Sequence, residues 1–216
     1  MILYDLIRDP LQPMSVAATA TCTGQAFVAS QIIGALLHRY TGIIRREATR
    51  EQGAAGHGGW ADAKIVVIGP VAEEAIYRGA IMPGVARTAA TVACGVLVGW
   101  RRSRRVGLIH STLAACLIAV HRALPMWAAV WASALLFAGV HAVNQECATT
   151  RQRAQSIIQL QRVPIAIVFT ATAVTHGLAA SMLLHATYNL GVVLAGRIIA
   201  WMDERLTVER ADTVRP

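Results

Sequence analysis

Apolar positions in this chain fall in long blocks. They show neither the stripe of an amphipathic surface helix nor the alternation of a half-buried strand. The first block runs from about residue 14 to 37 and the second from about 63 to 85. Two shorter blocks follow at about 88 to 100 and 106 to 120, then a fifth at 126 to 143. The last apolar region, 164 to 201, is long enough for two helices, with His176-Gly177 as the expected break because glycine ends helices readily. A helix needs about 20 apolar residues to cross a bilayer. The pattern therefore predicts an all-α, polytopic integral membrane bundle of about seven transmembrane helices, the two short blocks crossing only if extended at their ends. The stretch EQGAAGHGGW ahead of the second block reads as a flexible loop.

Composition agrees with the pattern. The chain is 55% apolar and 15% charged with a mean hydropathy of +0.48, whereas about a quarter of residues in a soluble domain are charged. The net charge of +8 is carried by arginine, Lys64 being the one lysine. Arg39, Arg45, Arg46 and Arg50 follow the first block, Arg101, Arg102, Arg104 and Arg105 the third, and Arg151, Arg153 and Arg162 the fifth. Arg205, Arg210 and Arg215 lie in the tail, and the alternate connections hold only Arg8, Arg87 and Arg122. With seven spans every arginine-rich segment shares one side, which the positive-inside rule makes cytoplasmic, giving N-terminus out and C-terminus in. This spacing points to a bilayer as partner and not to nucleic acid, with a bacterial plasma membrane as the expected location. The opening MILYDLIRDPLQP lacks the positive start of a cleavable signal peptide. Cys22, Cys94, Cys116 and Cys147 show no CxxC or metal spacing and read as reduced thiols. Residues 1–216 form one domain without internal repeats.

The segment GPVAEEAIYRGAI, residues 69 to 81, breaks the apolar pattern with three charges. A charge at the middle of a membrane helix costs roughly 2.5–3.5 kcal/mol on insertion scales, so the group calls for a reason. Glu74 and Arg78 are four apart and can pair along one face. Glu73 is turned about 100° away and is left to face something else, as a proton-transferring group would. In LLFAGVHAV, Phe137 and His141 share a face, and in SMLLHATYNL so do His185 and Asn189. These polar groups, each on a different apolar helix, are most easily satisfied around one partly hydrated cavity. His38, His57, His110, His121 and His176 match no motif and are expected at interface or loop positions.

Taken together, EEAIYRG, FAGVH and HATYN resemble the EExxxR, FxxxH and HxxxN motifs of the CPBP family of intramembrane proteases, also called the Abi or CAAX-protease family, with its Rce1-like enzymes. The resemblance implies a motif-bearing core over about 63–202, with 88–120 as two extra helices between the first and second motifs. It implies an endopeptidase that cleaves a membrane-associated protein or peptide. Glu73 and His141 would activate water, His185 and Asn189 would form an oxyanion hole, and Glu74, Arg78 and Phe137 would support them. No cofactor is favoured, since HExxH is absent; a metal-dependent version would use Glu73, His141 and His185, with zinc as the ion. Two rival readings are a catalytically silent membrane scaffold or regulator and a proton-coupled transporter, because intramembrane carboxylates and histidines also serve as proton relays.

Overall fold

The computed structural model describes residues 3–41, 63–99, 104–143 and 157–213, which are helical throughout apart from short connections. In chain order the elements are α1 (Leu3–Arg8), α2 (Val16–Thr41), a π turn (Lys64–Ile68) that runs directly into α3 (Gly69–Ile81), and α4 (Val85–Gly99). There follow α5 (Arg104–Ala123), α6 (Met126–Val143), a 3-10 turn (Gln159–Arg162) opening α7 (Val163–His176), and α8 (Leu178–Thr213). Each of the first five apolar blocks carries one main helix, and the last region divides into α7 and α8 at Gly177. Among the described residues, two stretches are by length and composition sufficient to cross a bilayer: Val16–Leu37 in α2 and Leu178–Ile198 in α8.

The breaks have local causes. Pro70 and Pro164 occupy the first turns of α3 and α7, where the missing N–H costs nothing. Gly84 (φ 67°) turns the chain from α3 into α4, and Gly177 (φ 91°) ends α7 with its N–H on the Ala173 carbonyl; both conformations favour glycine. Two boundaries differ from the sequence pattern. Arg104 and Arg105, expected in a connection, lie in the first turn of α5, since arginine is a good helix former. The polar tail continues α8 to Thr213, as no Gly or Pro interrupts it after Gly196. A further element, α1, folds back so that Leu6 is fully buried and the Leu3 N–H donates to Gln25 Oε1 at 2.6 Å.

Two short helices occupy the centre. Residues 164–173 of α7 and 74–81 of α3 are buried without interruption. Helix α3 packs against α4, α5, α6 and α8, and α7 against α2, α6 and α8. The longer helices turn apolar side chains outward, among them Val28, Ile32 and Leu36 on α2 and Leu183, Leu194 and Ile198 on α8. Such a surface suits lipid contact. Trp127 and Trp201 are exposed, whereas Trp131 packs against the core. Cys22, Cys94 and Cys116 are free thiols. Cys147, His57, Trp60 and Trp100 lie outside the described residues.

Candidate active site

Two neighbours on α3 have opposite surroundings. Glu74 is fully buried, and Glu73, one position earlier, keeps a quarter of its side-chain surface (0% and 25%). The 100° rotation per residue puts them on different faces. Glu74 pairs with Arg78 one turn on (Oε1 to Nη1, 3.3 Å), as the spacing predicts. The same carboxylate also accepts hydrogen bonds from the Ser181 hydroxyl and from His185 Nδ1 (2.9 Å), both on α8. Arg78 is held further from α7: Nε donates to Thr170 Oγ1 and Nη2 to the Ala166 carbonyl, each at 3.2 Å. Its guanidinium lies 4.4 Å from the Phe137 ring centroid. This pair therefore ties α3, α6, α7 and α8 together, and neither charge is left bare.

Glu73 faces two imidazoles. His141 Nε2 on α6 lies 3.5 Å from its Oε1, and His185 Nε2 on α8 lies 3.8 Å from its Oε2. The other ring nitrogens are committed. His141 Nδ1 donates to the Phe137 carbonyl at 2.8 Å, one turn back on its helix, and His185 Nδ1 donates to Glu74. With Nδ1 fixed as the donor, Nε2 is the atom each ring presents to Glu73. The rings are also clamped sideways: Phe169 stacks on His185 (4.4 Å, 24°), and Phe137 packs on both His141 (4.7 Å) and His185 (5.6 Å). Side chains distant along the chain, from α3, α6 and α8, thus meet at one carboxylate. Asn189 sits half-buried one turn beyond His185 on α8.

A metal-dependent site would draw on Glu73, His141 and His185. The two histidines address different oxygens of Glu73, at 3.5 and 3.8 Å. Among the described residues no group of three or more His, Cys, Asp or Glu side chains is arranged to hold a metal ion.

Several contributors carry no motif. Ser181, Thr170 and Phe169 are polar or aromatic positions in apolar helices, with no signal in spacing to separate them from ordinary core. Arg162, read above as one of the loop arginines, closes the 3-10 turn and acts electrostatically on Glu73. His110 departs further from expectation. It is not an interface or loop residue but is buried on α5, where its Nδ1 and the Tyr77 hydroxyl share a 2.7 Å hydrogen bond. By contrast His176 is exposed at the end of α7.

Comparison with known families gives a match to the model described as type II CAAX prenyl endopeptidase Rce1-like, over residues 60–191. Searches of curated proteins and of solved structures return no match. The matched region spans more than half of the chain and contains α3 through His185 and Asn189 on α8. This family is membrane-embedded and acts on protein or peptide substrates at the membrane, in keeping with the apolar helices described above. The chain belongs to the Rce1-like family of type II CAAX prenyl endopeptidases.

Proposed function

We propose that the protein is an active intramembrane endopeptidase that hydrolyses a peptide bond of a membrane-associated substrate without a metal. The observation that carries this reading is the convergence of His141 and His185 on opposite oxygens of the partly exposed Glu73. Glu73 Oε1 and His141 Nε2, 3.5 Å apart, can share one water at about 2.8 Å from each. As that water attacks the scissile carbonyl carbon, its proton passes to Glu73 or His141, and the same proton is later delivered to the departing amine nitrogen as the C–N bond breaks. His185 and Asn189 donate to the oxygen that gains charge in the tetrahedral intermediate. Because His185 Nδ1 is committed to Glu74, donation from Nε2 requires both ring nitrogens to carry protons. Phe137 and Phe169 wall the histidines with apolar surface, where such interactions are stronger than in water.

The bundle crosses the membrane seven times with its N-terminus out and C-terminus in, a reading supported by the one-sided arginine distribution. The family description points to a substrate ending in a prenylated Cys-aliphatic-aliphatic-X sequence. The test is cleavage of an internally quenched farnesylated peptide of that form by the purified protein in nanodiscs. General acid–base catalysis contributes about 10²–10⁴ in rate, so Glu73→Gln should lose at least about 100-fold in kcat while the protein still folds. Retention of near-normal turnover by that variant would remove Glu73 from its role. A wild-type protein that binds the peptide without cutting it would favour the scaffold reading.

A further inference from the structure

Among the described residues, His110 is a buried titratable group that the mechanism above leaves unused. It is contributed by α5, one of the two helices lying between the first and second motifs, and 6% of its surface is exposed. Its Nδ1 lies 2.7 Å from the hydroxyl of Tyr77, which is fully buried, and the two rings meet edge to face at 5.7 Å. Tyr77 lies one turn after Glu73 on α3, so the two share a helix face. Its ring packs edge-on against Phe137 (5.8 Å, 85°), whose own ring and carbonyl hold His141. Its backbone carbonyl accepts a hydrogen bond from Ser133 of α6 at 3.1 Å. His110 is also close enough to Glu73 and His141 to interact with both electrostatically.

We infer that His110 is a positioning residue for the reaction: by holding the Tyr77 hydroxyl from α5, it fixes the rotation of α3 about its axis and so aims Glu73 at His141 and His185. The inference rests on the endopeptidase reading above. A packed apolar interface alone resists separation of α3 and α5 but resists rotation poorly, because apolar contact is non-directional. A buried hydrogen bond to an aromatic hydroxyl is directional and lies on the Glu73 face, about 6 Å along the axis from the reacting carboxylate. Helix α5 thereby becomes part of the site's support. A small change in that rotation displaces the carboxylate relative to both imidazoles, and misplacement of about 1 Å can cost about 10²-fold in rate.

The test uses full-length protein in nanodiscs with the farnesylated peptide, comparing Tyr77→Phe, His110→Leu, the double variant and His110→Asn, with Glu73→Gln in parallel. Tyr77→Phe removes a single oxygen and keeps the ring packing, which preserves a folded comparison whatever happens to His110→Leu. The expected result is a drop in kcat of about 10–100-fold for each single variant with KM little changed, and no further drop in the double variant. His110→Asn, whose amide can reach the hydroxyl near the former Nδ1 position, should restore most of the rate. Unchanged kcat in Tyr77→Phe, losses that multiply in the double variant, or a loss seen only in KM would each overturn the inference. An inactive Glu73→Gln beside a fully active Tyr77→Phe would remove the role of His110 alone, whereas an active Glu73→Gln would remove the endopeptidase reading itself.

Discussion

Replacing Glu74 should separate what holds the bundle together from what reacts. In Glu74→Ala, Arg78 keeps its hydrogen bonds to Thr170 and Ala166 but loses its carboxylate, in a position with no exposed surface. Breaking a buried pair by removing one partner costs about 3–5 kcal/mol, mostly from the uncompensated charge left behind. The lost bond from His185 Nδ1 adds roughly 1 kcal/mol. Ser181 loses less, because its hydroxyl can donate to the Phe169 carbonyl, 2.8 Å away. The expected loss is therefore about 4–6 kcal/mol. Glu74→Gln is nearly isosteric: its carbonyl can accept from His185 while its amide donates to the Ser181 oxygen. It should cost less, about 2–3 kcal/mol, because the amide oxygen that replaces the carboxylate oxygen still faces Arg78 Nη1 and offsets part of its charge. Adding Arg78→Met to Glu74→Gln should recover much of that loss without recovering turnover, since His185 would still lack its charged partner. Unfolding in mixed detergent, followed by tryptophan fluorescence, measures the stabilities, and peptide cleavage measures the activity. A Glu74→Ala protein within about 1 kcal/mol of wild type would refute the buried-pair argument, as that is below the smallest expected loss.

Other changes probe distinct parts of the structure. Asn189→Ala should lower kcat about 10²–10³-fold with KM little changed if it is an oxyanion donor, read from steady-state cleavage of the same peptide. Gly79→Ala would place a Cβ 2.5 Å from the Ala86 carbonyl oxygen and 3.3 Å from Ala90 Cβ, forcing α3 and α4 apart; a loss of about 1–3 kcal/mol in the unfolding assay is expected. Gly34→Ala on α2 meets only the end of the Gln161 side chain, which can swing away, and should cost under about 1 kcal/mol. Prolonged treatment with phenanthroline should leave turnover intact, whereas loss followed by recovery on adding zinc would overturn the metal-free mechanism.

Helix placement was legible because it depends on a signal spread over many residues. Long apolar blocks and the glycine at 177 fixed the breaks, and the sharp stop of α7 falls where the sequence puts it. The Glu74–Arg78 pair was equally legible, since helical spacing alone brings the two together. Contacts between helices were not. Nothing in the spacing singles out Ser181, which serves Glu74, or separates Thr170 from Thr172: both threonines donate back to their own helix, and Thr170 accepts from Arg78 as well. His110 was missed for the same reason: a lone histidine in an apolar helix acquires meaning only when another helix brings a hydroxyl to it.

The adjacency of Glu73 and Glu74 also limits how such a site can be built. Two carboxylates three or four residues apart would share a face and repel each other in the same low-dielectric space. Placed side by side, they are separated by the helix's own rotation, so one can be sealed against Arg78 while its neighbour stays partly open. Through His185 they are nevertheless connected: one ring nitrogen is held by the sealed carboxylate at 2.9 Å and the other faces the open one at 3.8 Å. The rigidity of the buried pair is thereby conveyed to the exposed group by an imidazole that cannot turn without breaking its bond to Glu74. Under the metal-free mechanism proposed above, a site assembled from side chains of three separate helices needs such a fixed neighbour if its reacting atoms are to stay in register.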